Sequence, residues 1–233
     1  MTERLVKYRF PNIKSIMIGL TLIMGACSTD GPSYQKEVLD LKNIDFSMDA
    51  ELFYRSATQK SNLNVDSKKQ FVEVFDLTNG WSTFEVKKFS NKDIVAKFDE
   101  VIFNRVNAIT GNDGKFKLVN AQAELTGVEL NNLYKDLNAG FGDPIKVDSV
   151  AGSTYTRMYR YTWEGKELVL QIVSIFNPAR PERLEQINAR IPDKDLRIVN
   201  ERPSISLFIC KKSSMDAILD LDLVDGDWVK FKY

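Results

Sequence analysis

The chain has 233 residues, 43% of them hydrophobic and 11% aromatic, and its 32 basic residues balance 32 acidic ones. That apolar content supports a folded core, and the charge balance argues against an electrostatic nucleic-acid surface, which needs a clustered basic excess. Histidine is absent and cysteine occurs twice, which excludes Ser-His-Asp and Cys-His machinery, His-bearing zinc or iron sites and thiolate cages. Any metal would have to be a hard, oxygen-ligated ion, and no cofactor is expected.

The N-terminal stretch carries Arg4, Lys7, Arg9 and Lys14 against Glu3, and an uncharged run follows from Ser15 to Ala26. A basic segment, a short apolar run and terminal small residues are the layout of a secretory signal. Twelve residues of helix rise only about 18 Å, short of a hydrocarbon core of about 30 Å, so the run does not predict a permanent span. Its end, Ile23-Met24-Gly25-Ala26-Cys27, resembles the lipobox of bacterial lipoproteins, with Met24 where leucine is commonest. The resemblance implies cleavage before Cys27, a diacylglyceryl group on its thiol and acylation of the new amino terminus. Ser28 in place of Asp implies the outer membrane rather than the inner one. Stable anchoring needs more than one acyl chain, which this modification supplies.

Residues 27–36 follow as the lipidated cysteine and a flexible tether, with Gly31 and Pro32 inside it. Residues 37–233 then read as a single globular domain. From Cys27 onward there are 28 basic residues against 31 acidic ones, a net charge of −3. Cys210 is left alone, so no intramolecular disulfide can form. It lies in the apolar run Ser204–Cys210, where a buried strand and an inert thiol are expected.

Along the domain, Val38 to Tyr54 is expected to begin as extended structure and Gln59 to Asp66 to form a loop. Phe71–Phe75 and Trp81–Val86, joined by Asn79-Gly80, predict a hairpin. Residues 94–109 fit both helix and strand. Ser90 and Asp93 suggest a helical turn, and Val101-Ile102-Phe103 before Gly111–Gly114 and Phe116–Val119 favours strands. The clearest helix is Gly127–Ala139: Thr126 and Glu129 form a capping box, and Leu130, Leu133, Tyr134, Leu137 and Phe141 make one apolar stripe. Gly140, Gly142 and Pro144 close it.

A third hairpin is expected from Arg157–Trp163, the turn Glu164-Gly165 and Leu168–Phe176. Pro181 opens a short helix closed by Pro192, Ser213–Leu219 suggests another, and Trp228–Phe231 reads as a final strand. Hairpins with few helices predict an α+β fold, an antiparallel sheet with the 127–139 helix packed on it. The order from Phe116 to Phe176 resembles small envelope lipoprotein domains that lay one helix across a twisted sheet. That likeness spans about 60 residues, carries no diagnostic motif and implies no function.

Three constellations bear on chemistry. Asp220, Asp222, Asp225 and Asp227, with Asp216, gather near the C-terminus. A calcium loop would need a bidentate Glu where Phe231 stands, and alternation with Leu219, Leu221 and Leu223 favours a strand with one wet face. Tyr159, Tyr161 and Trp163, with Tyr155, Arg157 and Arg160, form an aromatic and arginine row suited to a glycan or protein partner, although alternate strand positions beside the helix also suit a core. Glu164, Glu167, Asp143 and Asp148 supply carboxylates for an acid and base pair. The leading expectation is a non-enzymatic envelope lipoprotein that binds a protein or glycan. The alternative is a histidine-free, carboxylate-dependent hydrolase acting on glycans.

Overall fold

The computed structural model describes residues 33–34, 36–57, 71–87, 89–90, 92–151, 157–179, 204–221, 223 and 226–232. The signal segment, Cys27, Tyr155, the expected loop at 59–66 and the helix opened by Pro181 lie outside the described residues.

Among the described residues, eleven strands in two sheets and a few helices give a predominantly β, α+β arrangement. The strands are β1 (Leu39–Asp40), β2 (Phe71–Asp76), β3 (Ser82–Lys87), β4 (Ala96–Phe98), β5 (Val101–Phe103), β6 (Arg105–Thr110), β7 (Phe116–Glu124), β8 (Lys146–Ala151), β9 (Arg157–Glu164), β10 (Leu168–Ser174) and β11 (Ser204–Lys211). The larger sheet has the order β2-β3-β6-β7-β11-β10-β9-β8, and every neighbouring pair is antiparallel. The smaller sheet is β1-β4-β5, with β1 parallel to β4.

The hairpin of β2 and β3 turns at Asn79 (φ 59°) and Gly80 (φ 74°), the left-handed pair that a tight hairpin requires. Strand β3 pairs with β6 only from Ser82 to Phe84. Beyond that point the strands splay, and Asn107 Oδ1 accepts the Val86 N–H at 2.9 Å in place of a ladder bond. The 94–109 region resolves as strands: Ser90 and Asp93 form a turn, the Asp93 N–H reaching Ser90 O at 3.0 Å, and β4, β5 and β6 follow.

Helix α2 (Gly127–Phe141) carries the capping box, Thr126 Oγ1 accepting from the Glu129 N–H and the Glu129 carboxylate accepting from the Thr126 N–H. Leu130, Leu133 and Leu137 are fully buried. The helix carries the chain from β7 to β8, at the far edge of the sheet. From there β8, β9 and β10 run back toward the centre, and β11 fills the slot between β10 and β7. Strand β11 thus joins two halves of the sheet that are built separately along the sequence.

Side-chain alternation divides the core in two. On one face Val119, Ala121, Leu170, Ile172, Leu207 and Ile209 meet α2 and the N-terminal segment. On the other, Leu118, Val169, Val173, Phe208 and Cys210 meet the C-terminal segment through Met215, Ile218, Trp228 and Phe231.

Several expectations are corrected. Within Val38–Tyr54 only β1 is extended; Asp49 caps helix α1 (Ala50–Tyr54), its carboxylate accepting the Leu52 N–H at 3.0 Å. Tyr34, read as tether, is fully buried against Phe53. Leu219 ends helix α3 (Met215–Leu219) instead of beginning a strand. Trp228–Phe231 is likewise no strand: Gly226–Lys230 is a 3-10 helix. Asp227 and Trp228, adjacent in sequence, both turn onto the sheet, whereas an extended backbone would send them to opposite sides.

Candidate functional site

A cleft of about 490 Å³ opens beside the first half of α2. Its walls are the 92–94 turn, β5, Asn104, the end of β7 and the helix face bearing Glu129, Asn132 and Asp136. Those three stand at i, i+3 and i+7, so they share one face, which flanks the buried Leu130, Leu133 and Leu137. Glu129 is held in place by the capping box, and Asp93 is fixed by the Ser90 N–H at 3.2 Å. Asn104, only 7% exposed, is registered by its N–H to Gln122 O at 3.0 Å.

Among the described residues, five carboxylates line the cleft (Asp93, Glu100, Glu124, Glu129 and Asp136) against one ammonium, that of Lys92. Two exposed isoleucines interleave with them, Ile94 at 53% and Ile102 at 48%. Like charges along partly apolar walls focus a negative potential into the cleft. Among the described residues no three His, Cys, Asp or Glu side chains are grouped to hold a metal ion. The arrangement suits an extended cationic group with apolar parts better than a compact ion.

The aromatic row has another fate. Trp163 is fully buried and Tyr161 is 4% exposed. Tyr134 of α2 meets both rings edge-on, at centroid distances of 5.7 and 5.3 Å. Trp163 Nε1 donates to Asn138 Oδ1 at 2.9 Å, and the Tyr161 hydroxyl donates to Asn177 Oδ1 at 2.6 Å. Neither ring offers a face to solvent. Tyr159 is half-buried at the margin of the same core. Arg157 belongs to the same strand, β9, and its side chain lies outside the description. Arg160 points to the opposite face and pairs with Asp148 at 3.1 Å.

The other carboxylates are dispersed. Asp148 is engaged by Arg160 and Glu164 by Lys212, while Glu167 lines a second cleft with Phe46 and Phe141. In the C-terminal acidic cluster, Asp222 and Asp225 lie outside the described residues. Asp227 is bound by Arg105 at 2.7 Å, Lys230 at 2.7 Å and the Gln122 amide. Burial alone would raise its pKa, but hydrogen bonds from Lys230 and Gln122 and the charges of Lys230 and Arg105 outweigh it and hold the carboxyl below the usual range. Asp227 is thereby committed to docking the C-terminal segment.

Glu100, Glu124, Asn132 and Asp136 belong to no motif in the sequence, and Asp93, Ile102 and Glu129 read there only as turn, strand and capping signals. One signal was present, since Glu129, Asn132 and Asp136 form a polar stripe beside the leucines. The chain matches no protein-family model, no curated protein and no solved structure. Among the described residues no helix is long and apolar enough to cross a membrane.

Proposed function

We propose that the chain is a bacterial cell-envelope lipoprotein, cut before Cys27 and lipid-anchored there, whose α+β domain is a non-enzymatic module for a basic protein partner. The basic segment, the uncharged run and the lipobox-like Ile23–Cys27 support the address, and Ser28 favours the outer membrane. The observation that carries the binding role is the cleft beside α2, with five carboxylates, one lysine and the exposed Ile94 and Ile102. A partner segment with alternating basic and aliphatic residues complements it in both charge and hydropathy. A glycan partner loses support because α2 covers the rings of Tyr161 and Trp163.

Titration of the full-length protein with a peptide of alternating lysine and leucine, beside a glutamate and leucine control, tests this reading. Binding of the lysine peptide alone is expected, weakening as salt is raised and lost in Glu124→Gln/Asp136→Asn. Binding that survives the double substitution, or no binding by the wild type, contradicts it.

A further inference from the structure

Among the described residues, strand β8 forms one edge of the larger sheet, with β9 on one side and no strand on the other. An edge strand directs alternate N–H and C=O groups away from its neighbour, ready to pair with another chain. Two exposed apolar side chains lie at that edge, Ile145 at 58% and Val147 at 54%; the other edge strand, β2, exposes Val74 at 44% and Phe75 at 48%. Lys146 and Asp148 flank Val147 on the opposite face.

We propose that β8 is a self-association edge, pairing antiparallel with β8 of a second copy about a two-fold axis through Val147. That register sets Val147 against its own copy, and it sets Lys146 of each chain against Asp148 of the other, twice by symmetry. Registers centred on Lys146 or Asp148 would oppose like charges instead, which destabilises a cross-strand pair. Arg160 contacts both Asp148 carboxylate oxygens, at 3.4 and 3.1 Å, and so fixes the carboxylate on the edge strand. The pairing extends the eight-stranded sheet across the axis and covers Ile145 and Val147 on one face. The other edge, β2, makes no such match: it carries Glu73 and Asp76 and no basic residue, so no register gives it an opposite-charge pair. The occupant is therefore a second copy of this chain at β8.

Disulfide trapping in the full-length chain tests the register. A Cys27→Ser background removes the N-terminal thiol, and Cys210 is fully buried. Cβ atoms directly opposite across antiparallel strands lie about 4.5–5.5 Å apart, within reach of a disulfide on modest adjustment. Val147→Cys is expected to give a cross-linked dimer under mild oxidation, Val74→Cys on β2 to stay monomeric, and Lys146→Glu to cut the Val147→Cys dimer several-fold. Sedimentation of the same chain without either added cysteine is expected to show a reversible dimer. A Val147→Cys chain that keeps the wild-type circular dichroism and does not cross-link overturns the proposal. So does a cross-link indifferent to Lys146→Glu, or a wild type that sediments as a monomer throughout.

Discussion

Trp228 Nε1 donates to Glu85 Oε1 at 2.8 Å, joining residues 143 positions apart. Its neighbour Asp227 binds Arg105, whose guanidinium lies 4.5 Å from the centre of the Phe89 ring. Both anchors sit where β3 and β6 splay apart, so the C-terminal 3-10 helix is fastened where the ladder between these two strands is open.

Asp227→Ala is expected to lower stability by about 2–3 kcal/mol, the scale for charge-assisted hydrogen bonds lost from a mostly buried group. Urea unfolding measures it. The folded-state pKa of Asp227 is lowered, so its contribution is fully present above the ordinary carboxylate value of about 3.9 and is lost as pH falls through the lower folded value. The wild type should therefore lose part of its stability in that acid window, and the variant should show a flatter acid limb.

Trp163→Ala is expected to cost about 3–5 kcal/mol, because it empties a fully buried aromatic site under α2. Trp163→Phe should cost less, with Asn138 Oδ1 losing its donor. Thermal unfolding ranks the two. A drop in partner binding with stability unchanged would instead mark the ring as part of a binding surface.

Gly80 holds φ +74°, and a Cβ there would stand 3.1 Å from the Asn112 Cβ in the neighbouring hairpin turn. Gly80→Ala is therefore expected to destabilise by about 1–2 kcal/mol from the left-handed backbone, plus the shift forced on Asn112. A calorimetric melt would show it. Thr126→Ala, which breaks the capping box, is expected to cost about 0.5–2 kcal/mol.

The Cys210 thiol is fully buried, and burial pushes its pKa up to about 12. In a Cys27→Ser chain the remaining thiol should resist a water-soluble disulfide reagent under native conditions and react in full once urea unfolds the protein. Rapid native labelling would contradict the assigned burial.

What could be read from the sequence follows the range of the forces involved. The hairpin at Asn79-Gly80, the Thr126–Glu129 capping box and the buried run at Ser204–Cys210 are written within a few residues, as turn stereochemistry, local hydrogen bonds and alternation. The 3-10 helix at Gly226–Lys230 was not legible, because its conformation depends on Arg105, Gln122 and Glu85, which lie more than one hundred positions away. The cleft was equally hidden, since its acids come from the 90s turn, the turn between β4 and β5, β7 and α2. The aromatic row shows the opposite difficulty: Tyr161 and Trp163 alternate as a binding face would, and only the docking of Tyr134 and Asn138 reveals them as core.

The most direct test of the account is the intact mass of the full-length protein recovered from the membrane fraction, beside Cys27→Ser. The proposal predicts a wild-type chain that begins at Cys27, carries acyl mass and stays with the membrane, while the variant carries no lipid. A wild type that retains residues 1–26, or that stays soluble without lipid, contradicts the envelope assignment.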